Sequence, residues 1–369
     1  MIVSERKITK KVFVGNLPIG GGAPITVQSM TTSKTHDLRS ILSEIERLEE
    51  SGCQIIRVTV PDKAAVKALP EIKKHMSVPL VADIHFNYRL ALAAIDSGVD
   101  KIRINPGNIG AKERVEAILQ KAKAAKVPIR IGVNSGSLEK DLLGKYGYPT
   151  PEAMVESAKK HINMCLENDF YDIVVSLKSS DVYLMIEANR LFSQKYDFPL
   201  HLGVTEAGPP WQGTIKSCIG IGTLLSEGIG DTIRVSLTDD PVQEVRAGFE
   251  ILKSLRLITR GVNIISCPTC GRIEVDLFKI VRELEAKTKD IKKNVTVAVM
   301  GCVVNGPGEA READIGIAFG KSEALLFRKG KIIEKIKESE AVDRLLTEIK
   351  NYPEKILSKN KYENSEEKS

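Results

Sequence analysis

Short runs of β-branched residues recur eight times along the first two thirds of the chain, and this repetition limits the possible folds more than any other feature. Each run is followed by a stretch with helical periodicity, such as Leu38, Ile41, Ile45 and Leu48 after the first. The runs span residues 25–30, 55–60, 79–84, 101–106, 128–133, 172–177, 200–205 and 231–236. Their spacing is close to one strand plus one helix, which predicts eight βα units.

Eight such units are what a TIM (β/α)8 barrel requires, with catalytic groups at the C-terminal ends of the strands. A doubly wound open sheet is the alternative, but no glycine-rich dinucleotide-binding motif follows the first run. We therefore expect an α/β chain with a TIM barrel over residues 1–258. The segment 134–150, after the fifth run, is either a substrate lid or a tolerated surface insertion.

The pattern changes after the barrel region. It predicts a strand and turn at 263–270, a helix at 273–287, strands at 295–300 and 315–319, and a helix at 340–350. These elements indicate a small α+β domain over 259–351. Residues 352–369 interleave Lys and Glu with few apolar residues, which predicts a flexible tail.

Composition excludes several classes of protein. The 369 residues are 42% apolar and 28% charged, typical of a folded globular chain rather than a disordered or membrane protein. No apolar run is long enough to span a bilayer, and the N-terminus lacks the apolar centre of a signal peptide, so we expect a cytoplasmic location. The net charge of +6 suits an anionic substrate, whereas 5% aromatic residues give little support for nucleic-acid binding.

Four of the predicted strands carry arginine on the side opposite their Val and Ile residues. The apolar side must pack on the outer helices, so Arg57, Arg103, Arg130 and Arg234 should face the barrel axis. Lys178, just beyond the sixth run, adds a fifth cation. Burying unpaired cations costs several kcal/mol each, roughly, so an anionic partner is expected. Internal acids such as Asp83 could serve, but the planar guanidinium fork favours a diphosphate-sized ligand.

Three of the six cysteines cluster near one another in the small domain. Cys267 and Cys270 have metal-ligand spacing, Cys302 follows the 295–300 strand, and Glu309 comes seven positions later across a glycine- and proline-rich loop. This set fits a [4Fe-4S] cluster with one exchangeable iron, a zinc site with three thiolates and a carboxylate, or a redox dithiol. The other cysteines, in apolar or helical contexts, are expected to be inert.

Eight segments together resemble the bacterial 4-hydroxy-3-methylbut-2-enyl diphosphate synthase family, in order from the barrel to about residue 320. They are RVTVP (57–61), ADIHF (82–86), RINPGN (103–108), RIGVNSGSL (130–138), SLKSS (176–180), GVTEAG (203–208), SCPTCGR (266–272) and GCVVNGPGE (301–309). The resemblance implies an oxidoreductase of the non-mevalonate isoprenoid pathway. Its reaction opens 2-C-methyl-D-erythritol 2,4-cyclodiphosphate, removes a hydroxyl and consumes two electrons. No extra domain fits between Ser236 and the small domain, so the chain matches the family's short form.

The resemblance also implies roles for individual residues. A [4Fe-4S] cluster would be held by Cys267, Cys270, Cys302 and Glu309, with Glu309 giving way to substrate. The diphosphate would be bound by Arg57, Arg103, Arg130, Asn134, Lys178 and Ser236. Glu206 matches an acidic residue thought to act in proton transfer, Asn305 would lie beside the cluster, and Asp83 is a further catalytic candidate among the cations.

The same resemblance implies a homodimer in which the cluster domain of one subunit caps the barrel of the other, and a flavodoxin or ferredoxin as electron donor. Two rivals are a phosphate-binding barrel with aldol or isomerase chemistry and structural zinc, and a non-catalytic sensor of phosphorylated ligands or iron. His36 and His85 fit either a catalytic-face hydrogen bond or a structural role.

Overall fold

The computed structural model describes residues 5–289, 291–302 and 313–353 and divides the chain into two compact units, Met1–Leu257 and Ile258–Ser369. The first unit opens with an antiparallel hairpin, β1 (Val12–Val14) and β2 (Leu17–Ile19). Eight parallel strands follow: β3 (Thr26–Met30), β4 (Ile55–Thr59), β5 (Leu80–Asp83), β6 (Lys101–Ile104), β7 (Ile129–Asn134), β8 (Ile173–Lys178), β9 (His201–Leu202) and β10 (Thr232–Ile233).

The eight strands form a closed barrel. They pair in the order β8-β7-β6-β5-β4-β3-β10-β9, and a parallel bridge between Val175 and Leu200 joins the two ends of that series. Six of the strands lie within their β-branched runs, and β7 and β8 each extend one residue beyond theirs, which confirms the TIM barrel predicted from the spacing of the runs.

Helices cover the outside of the barrel. They are α1 (Leu38–Glu50), α2 (Lys63–Lys74), α3 (Tyr88–Asp96), α4 (Pro106–Ile109), α5 (Lys112–Ala125), α6 (Lys140–Tyr146), α7 (Pro151–Leu166), α8 (Val182–Lys195), α9 (Pro210–Ser226) and α10 (Pro241–Ser254). Helix α1 shows how local sequence sets these elements: the Asp37 side chain accepts from the amide of Ser40 at its start, and Ile41, Ile45 and Leu48 are buried. Helix α6 forms part of the segment 134–150.

The hairpin β1–β2 closes the N-terminal end of the barrel. Its Val12, Val14 and Ile19 form one buried cluster with Ile55, Val81 and Val174, which lie near the starts of three barrel strands. This apolar floor leaves the polar part of the interior to the opposite end, where catalytic groups are expected. The sequence analysis did not predict the hairpin, since three-residue strands carry little periodicity.

The second unit is built on a five-stranded sheet with strands in sequential order. The strands are β11 (Val262–Ser266), β12 (Val295–Met300), β13 (Ile315–Phe319), β14 (Glu323–Arg328) and β15 (Lys331–Lys337), with helices α11 (Leu277–Thr288) and α12 (Ala341–Asn351). The pairs β11–β12 and β12–β13 are parallel, and the pairs β13–β14 and β14–β15 are antiparallel. The hairpin β14–β15 was not predicted, because the residues of β15 are mostly exposed and charged. Helix α11 begins four residues later than predicted, after the N-cap Asp276.

None of the helices in the described ranges is both long and apolar enough to cross a membrane.

Candidate active site

Three of the predicted arginines lie side by side in the barrel. Arg103 on β6 is in register with Asp83 on β5 and with Arg130 on β7, while Arg57 on β4 is in register with Val81. All three arginines are at most 9% exposed. They lie on the polar sides of their strands, as the alternation predicted.

Asp83 joins two of these arginines. Its Oδ1 lies 3.2 Å from Nη1 of Arg103, and its Oδ2 lies 3.6 Å from Nε of Arg57. Burial alone would raise the pKa of Asp83, but the charges of Arg57 and Arg103, with smaller contributions from His85 and Arg130, lower it below its ordinary value. The carboxyl is therefore ionised at neutral pH. The internal acid anticipated from the sequence compensates part of the positive charge.

Arg130 is largely uncompensated. Its Nη1 donates to Oγ of Ser176 at 3.3 Å, but within the described ranges Nε and Nη2 have no hydrogen-bond partner, and the side chain is 1% exposed. Burial, then the neighbouring Arg57 and Arg103, lower its pKa well below the ordinary value. Buried donors of this kind are normally paired, so the arrangement is suited to an anion that accepts from them.

Lys178 ends β8, in register with Asn134 at the end of β7. Its side chain is buried, and burial together with Arg130, Arg234, Arg57 and Arg103 lowers its pKa well below the ordinary value. We call Arg57, Arg103, Arg130 and Lys178 the cation cradle. A bound anion would offset the mutual repulsion of these four groups.

Two glycines make room for the cradle. A Cβ on Gly132 would lie 2.7 Å from Nε of Arg103, and a Cβ on Gly203 would lie 2.7 Å from Nζ of Lys178 and 2.4 Å from the carbonyl oxygen of Arg234. Real Cβ atoms do not approach other atoms so closely. Because Gly132 on β7 and Gly203 after β9 have no side chain, Arg103 and Lys178 can occupy these positions.

Arg234, the remaining arginine of the predicted set, forms an ion pair with a buried glutamate. Its Nε and Nη2 both lie 3.3 Å from carboxylate oxygens of Glu244 on α10, which is itself buried and also accepts from Oγ of Ser29. Strand alternation predicted Arg234 as one of five cations at the barrel mouth. The structure pairs it internally, which leaves the four cations of the cradle for a ligand.

The other predicted barrel residues lie at or beyond the C-terminal ends of strands. Ser236 follows β10 and is partly exposed, and Glu206 is exposed in the loop after β9. Glu206 has φ of 51°, in the left-handed region that non-glycine residues rarely adopt. Such backbone strain is concentrated at functional sites. His85 is half exposed with Nε2 3.6 Å from Oδ2 of Asp83, whereas His36 is exposed after β3.

The thiols of the second unit follow neighbouring parallel strands. Cys267 comes directly after β11 and Cys302 two residues after β12, and the Gly301 amide donates to Sγ of Cys267 at 3.3 Å. Cys270 is exposed, and hydrogen bonds from the backbone and side chain of Arg272 lower its pKa. All three are free thiols, a donor set with the softness that iron–sulfur clusters and zinc require.

The described part of the second unit does not by itself complete a metal site. Glu309 and Asn305 lie outside the described residues, and no group of three His, Cys, Asp or Glu side chains within the described ranges is arranged to hold a metal ion. The chemistry of the donors fits a thiolate-bound metal group, and the parallel strands bring Cys267 and Cys302 to one edge of the sheet.

Two further polar residues were not predicted. Lys101 on β6 and His201 on β9 are both 0% exposed. Lys101 has the same parity as Arg103, so the alternation that located the arginines also locates this lysine. His201 also carries this signal, since Leu200, Leu202 and Val204 have the opposite parity within the predicted run 200–205.

The fold and this site define a TIM-barrel protein with buried cations suited to a multiply charged anion, joined to a small unit with thiols suited to a metal group. Comparison with known proteins gives the particular family. A profile of the GcpE TIM-barrel domain matches residues 9–249, and one of the GcpE protein C-terminal domain matches residues 263–351. The chain therefore belongs to the GcpE family.

Three relatives show how much of the chain this similarity covers. The chain is 59% identical over 342 residues to 4-hydroxy-3-methylbut-2-en-1-yl diphosphate synthase (flavodoxin) of Clostridium perfringens, covering 93% of this chain and 98% of that protein. It is 59% identical to the protein of the same name from Caldanaerobacter subterraneus, covering 94% and 98%. For that of Geobacillus thermodenitrificans the identity is 57%, covering 97% and 96%. The family resemblance stated from the sequence motifs is confirmed.

Solved structures of similar shape support the barrel alone. Dihydropteroate synthase from Stenotrophomonas maltophilia aligns with a TM-score of 0.51 at 12% identity, covering 67% of this chain and 97% of that chain. The Yersinia pestis dihydropteroate synthase aligns with a TM-score of 0.50 at 15% identity, covering 67% and 99%. At these identities the likeness concerns the fold and not the reaction.

Proposed function

We propose a division of labour between the two units of this chain. As a member of the GcpE family the chain is an oxidoreductase of the non-mevalonate isoprenoid pathway, a 4-hydroxy-3-methylbut-2-enyl diphosphate synthase. It converts 2-C-methyl-D-erythritol 2,4-cyclodiphosphate into 4-hydroxy-3-methylbut-2-enyl diphosphate. The barrel, residues 1–258, binds the diphosphate, and residues 259–351 hold the redox cofactor.

The cation cradle is the diphosphate site in this proposal. The observation that carries it is Arg130, whose Nε and Nη2 are buried and without a partner in the described ranges while Arg103 lies in register beside it. Phosphate oxygens accept from guanidinium groups in pairs, so a diphosphate satisfies these donors and offsets the cradle's charge. Asn134, in register with Lys178, and Ser236 would add uncharged donors at the C-terminal ends of their strands.

Binding at the phosphates positions the carbon framework of the substrate. Interactions remote from the reacting bonds can hold those bonds in a reactive orientation, which lowers the entropic part of the barrier. Asp83 keeps Arg57 and Arg103 in place and, as an ionised carboxylate, is a further candidate catalytic residue. Glu206 would donate or accept a proton as the hydroxyl leaves, a role supported by its exposure and its strained backbone conformation.

Cys267, Cys270, Cys302 and Glu309 would hold a [4Fe-4S] cluster, with Asn305 beside it. The free thiols of Cys267, Cys270 and Cys302, two of them after adjacent parallel strands, support this assignment. When bound, a cluster with one exchangeable iron supplies single electrons and a Lewis acid. The amide of Gly301 donates to Sγ of Cys267, a hydrogen bond that would orient this ligand.

Metal analysis of anaerobically purified protein tests the proposed cofactor. About four irons and matching sulfide per chain are expected, with an electron paramagnetic resonance signal after dithionite that shifts when the cyclic diphosphate is added. Cys302→Ser should lose most of the iron, whereas Cys218→Ser, on barrel helix α9, should retain it. Zinc without sulfide in protein never exposed to air would overturn the reductive mechanism.

The catalytic site is proposed to be shared between two subunits, with the second unit of one capping the barrel of the other. The short connection between α10, which ends at Ser254, and β11, which begins at Val262, supports this arrangement because it limits the reach of one chain. Mixing Arg103→Ala chains with Cys302→Ser chains should restore activity in heterodimers. Heterodimers that form without recovering activity would contradict a shared site.

A flavodoxin is the proposed electron donor, with ferredoxin as the alternative. The relatives carry flavodoxin in their names, and the net charge of +6 suits a small acidic partner. Turnover with reduced flavodoxin should weaken steeply as ionic strength rises, because long-range attraction is screened. Equal turnover at low and high salt would contradict an electrostatic encounter.

A further inference from the structure

A tier of polar side chains lies in the same barrel as the cation cradle and was assigned no role above. Lys101 is two residues before Arg103 on β6, and its Nζ has no hydrogen-bond partner in the described ranges. His201 on β9 is in register with Thr232 on β10, which is in register with Thr26 on β3. The ring nitrogens of His201 and the hydroxyls of Thr232 and Thr26 also lack partners there.

The charges around this tier are predominantly positive. The charged groups of the surrounding elements are Arg57 on β4, Asp83 on β5, Arg103 on β6, Arg130 on β7, Lys178 on β8, and the Arg234–Glu244 pair of β10 and α10. Both acids are engaged by arginines, since Asp83 contacts Arg57 and Arg103 and Glu244 contacts Arg234. Neither Lys101 nor His201 has an acid of its own in the described ranges.

The protonation of the tier follows from that environment. Burial, then Arg130 and Arg57, lower the pKa of Lys101 well below its ordinary value. Burial, then Arg130, Lys178 and Lys101, do the same for His201. In the ligand-free barrel the amine of Lys101 therefore loses its proton more readily than an ordinary lysine, and negative charge entering the cradle favours its protonated form.

We propose that the buried Lys101, two residues before Arg103 on β6, is a proton acceptor coupled to the cation cradle, and that binding of the doubly negative cyclic diphosphate transfers a proton from solvent to its Nζ. The proposal rests on the assignment of the cradle as the diphosphate site. A proton leaves the buffer and an N–H bond forms at the amine, so charge entering with the ligand is partly compensated. Lys101 is a positioning residue that acts through the cradle.

Calorimetric titration measures this transfer directly. Oxidised, cofactor-loaded enzyme is titrated with the cyclic diphosphate at pH 7.5 without reductant, in two buffers that differ in ionisation enthalpy. The dependence of the binding heat on buffer gives the number of protons taken up. We expect net uptake in the wild type and about one proton less in Lys101→Met, together with at least tenfold weaker binding. Any other group that takes up a proton does so in both proteins, so the difference reports Lys101.

Matched variants separate this role from a structural one. Lys112→Met, on α5 with its side chain 59% exposed, should leave proton uptake and affinity unchanged. Lys101→Met should also raise the melting temperature of the free protein, because methionine fills the same space without an uncompensated amine. Lys101→Gln gives a second measurement of uptake. Unchanged proton uptake in both Lys101 variants would overturn the proposal, whereas absence of diphosphate binding by the wild type would overturn the proposed function itself.

Discussion

The guanidinium group of Arg103 lies against the backbone of Gly132, so closely that a Cβ on Gly132 would be 2.7 Å from Nε. Glycine here provides space on the interior face of β7, which an arginine from β6 occupies. The Asp83 carboxylate holds that arginine from the other side at 3.2 Å. The position of Arg103 is thus determined by one carboxylate and one missing side chain.

Gly132→Ala should displace Arg103 and weaken binding of the cyclic diphosphate. Loss of a charge-assisted hydrogen bond costs about 1.5–3 kcal/mol, which corresponds to about 10- to 100-fold in affinity. Gly144→Ala is the matched control, because a Cβ there meets nothing within 4 Å. Titration calorimetry of the three proteins measures the effect, and equal affinity for all of them would refute the packing explanation.

Asp83→Asn should destabilise the free enzyme at neutral pH. Removing a charge from a buried ion pair costs about 3–5 kcal/mol, because the arginines lose their compensation. The pKa of Asp83 is lowered by folding, so its contribution is present above its unfolded pKa of about 4 and declines as the pH falls through the lower folded value. Urea unfolding at several pH values should give a lower free energy of unfolding for the variant than for the wild type, and this difference should decrease as the pH falls.

Asp96→Asn is the control for this experiment, since Asp96 is 66% exposed in its pair with Lys121. Asp96→Asn should lower the free energy of unfolding by less than about 1 kcal/mol. A variant at Asp83 that is as stable as the wild type would show that the carboxylate is not needed to hold the arginines.

The segment after β7 should loosen in acid through Glu139. Oε1 of Glu139 lies 2.9 Å from Nε2 of the buried His161 on α7, and Oγ of Ser157 donates to the same oxygen. Burial opposes ionisation, but the His161 and Ser157 contacts prevail and lower the pKa of Glu139 to about 2. The stabilisation is present above the unfolded pKa of about 4.3 and is lost as the pH falls toward 2.

Glu139→Gln should lower the free energy of unfolding by on the order of 1–3 kcal/mol at pH 7 and should change it little near pH 2. A double-mutant cycle with His161→Gln measures the coupling by urea unfolding. Additive effects of the two substitutions at pH 7 would contradict the pair as the origin of the stabilisation.

Glu206→Gln should lower turnover and leave substrate binding unchanged. A positioned acid or base contributes about 10²- to 10⁴-fold to rate, and glutamine retains size and polarity without transferring a proton. The side chain is exposed, so the melting temperature should not change. Reduced kcat with unchanged affinity is the expected pattern, and wild-type kcat would exclude Glu206 from the chemistry.

Sequence alone determined the barrel and the identity of its interior cations. Eight β-branched runs at regular spacing left little choice of fold, and alternation within strands placed Arg57, Arg103 and Arg130 opposite the apolar face. The motifs also gave the family. The C-terminal strands at 295–300 and 315–319 were located to the residue because they are apolar and buried.

Only the tertiary structure decided which of those cations are compensated and by what. Glu244 lies on a helix after β10, and no local pattern indicates that it turns back to pair with Arg234. Asp83 was visible in sequence, but its bridging of Arg57 and Arg103 depends on strand register. Lys101 and His201 became notable when burial and the absence of partners in the described ranges were known. Strand periodicity is a local property of the chain, whereas charge compensation is set by atoms far apart in sequence, and so it is fixed only when the barrel closes.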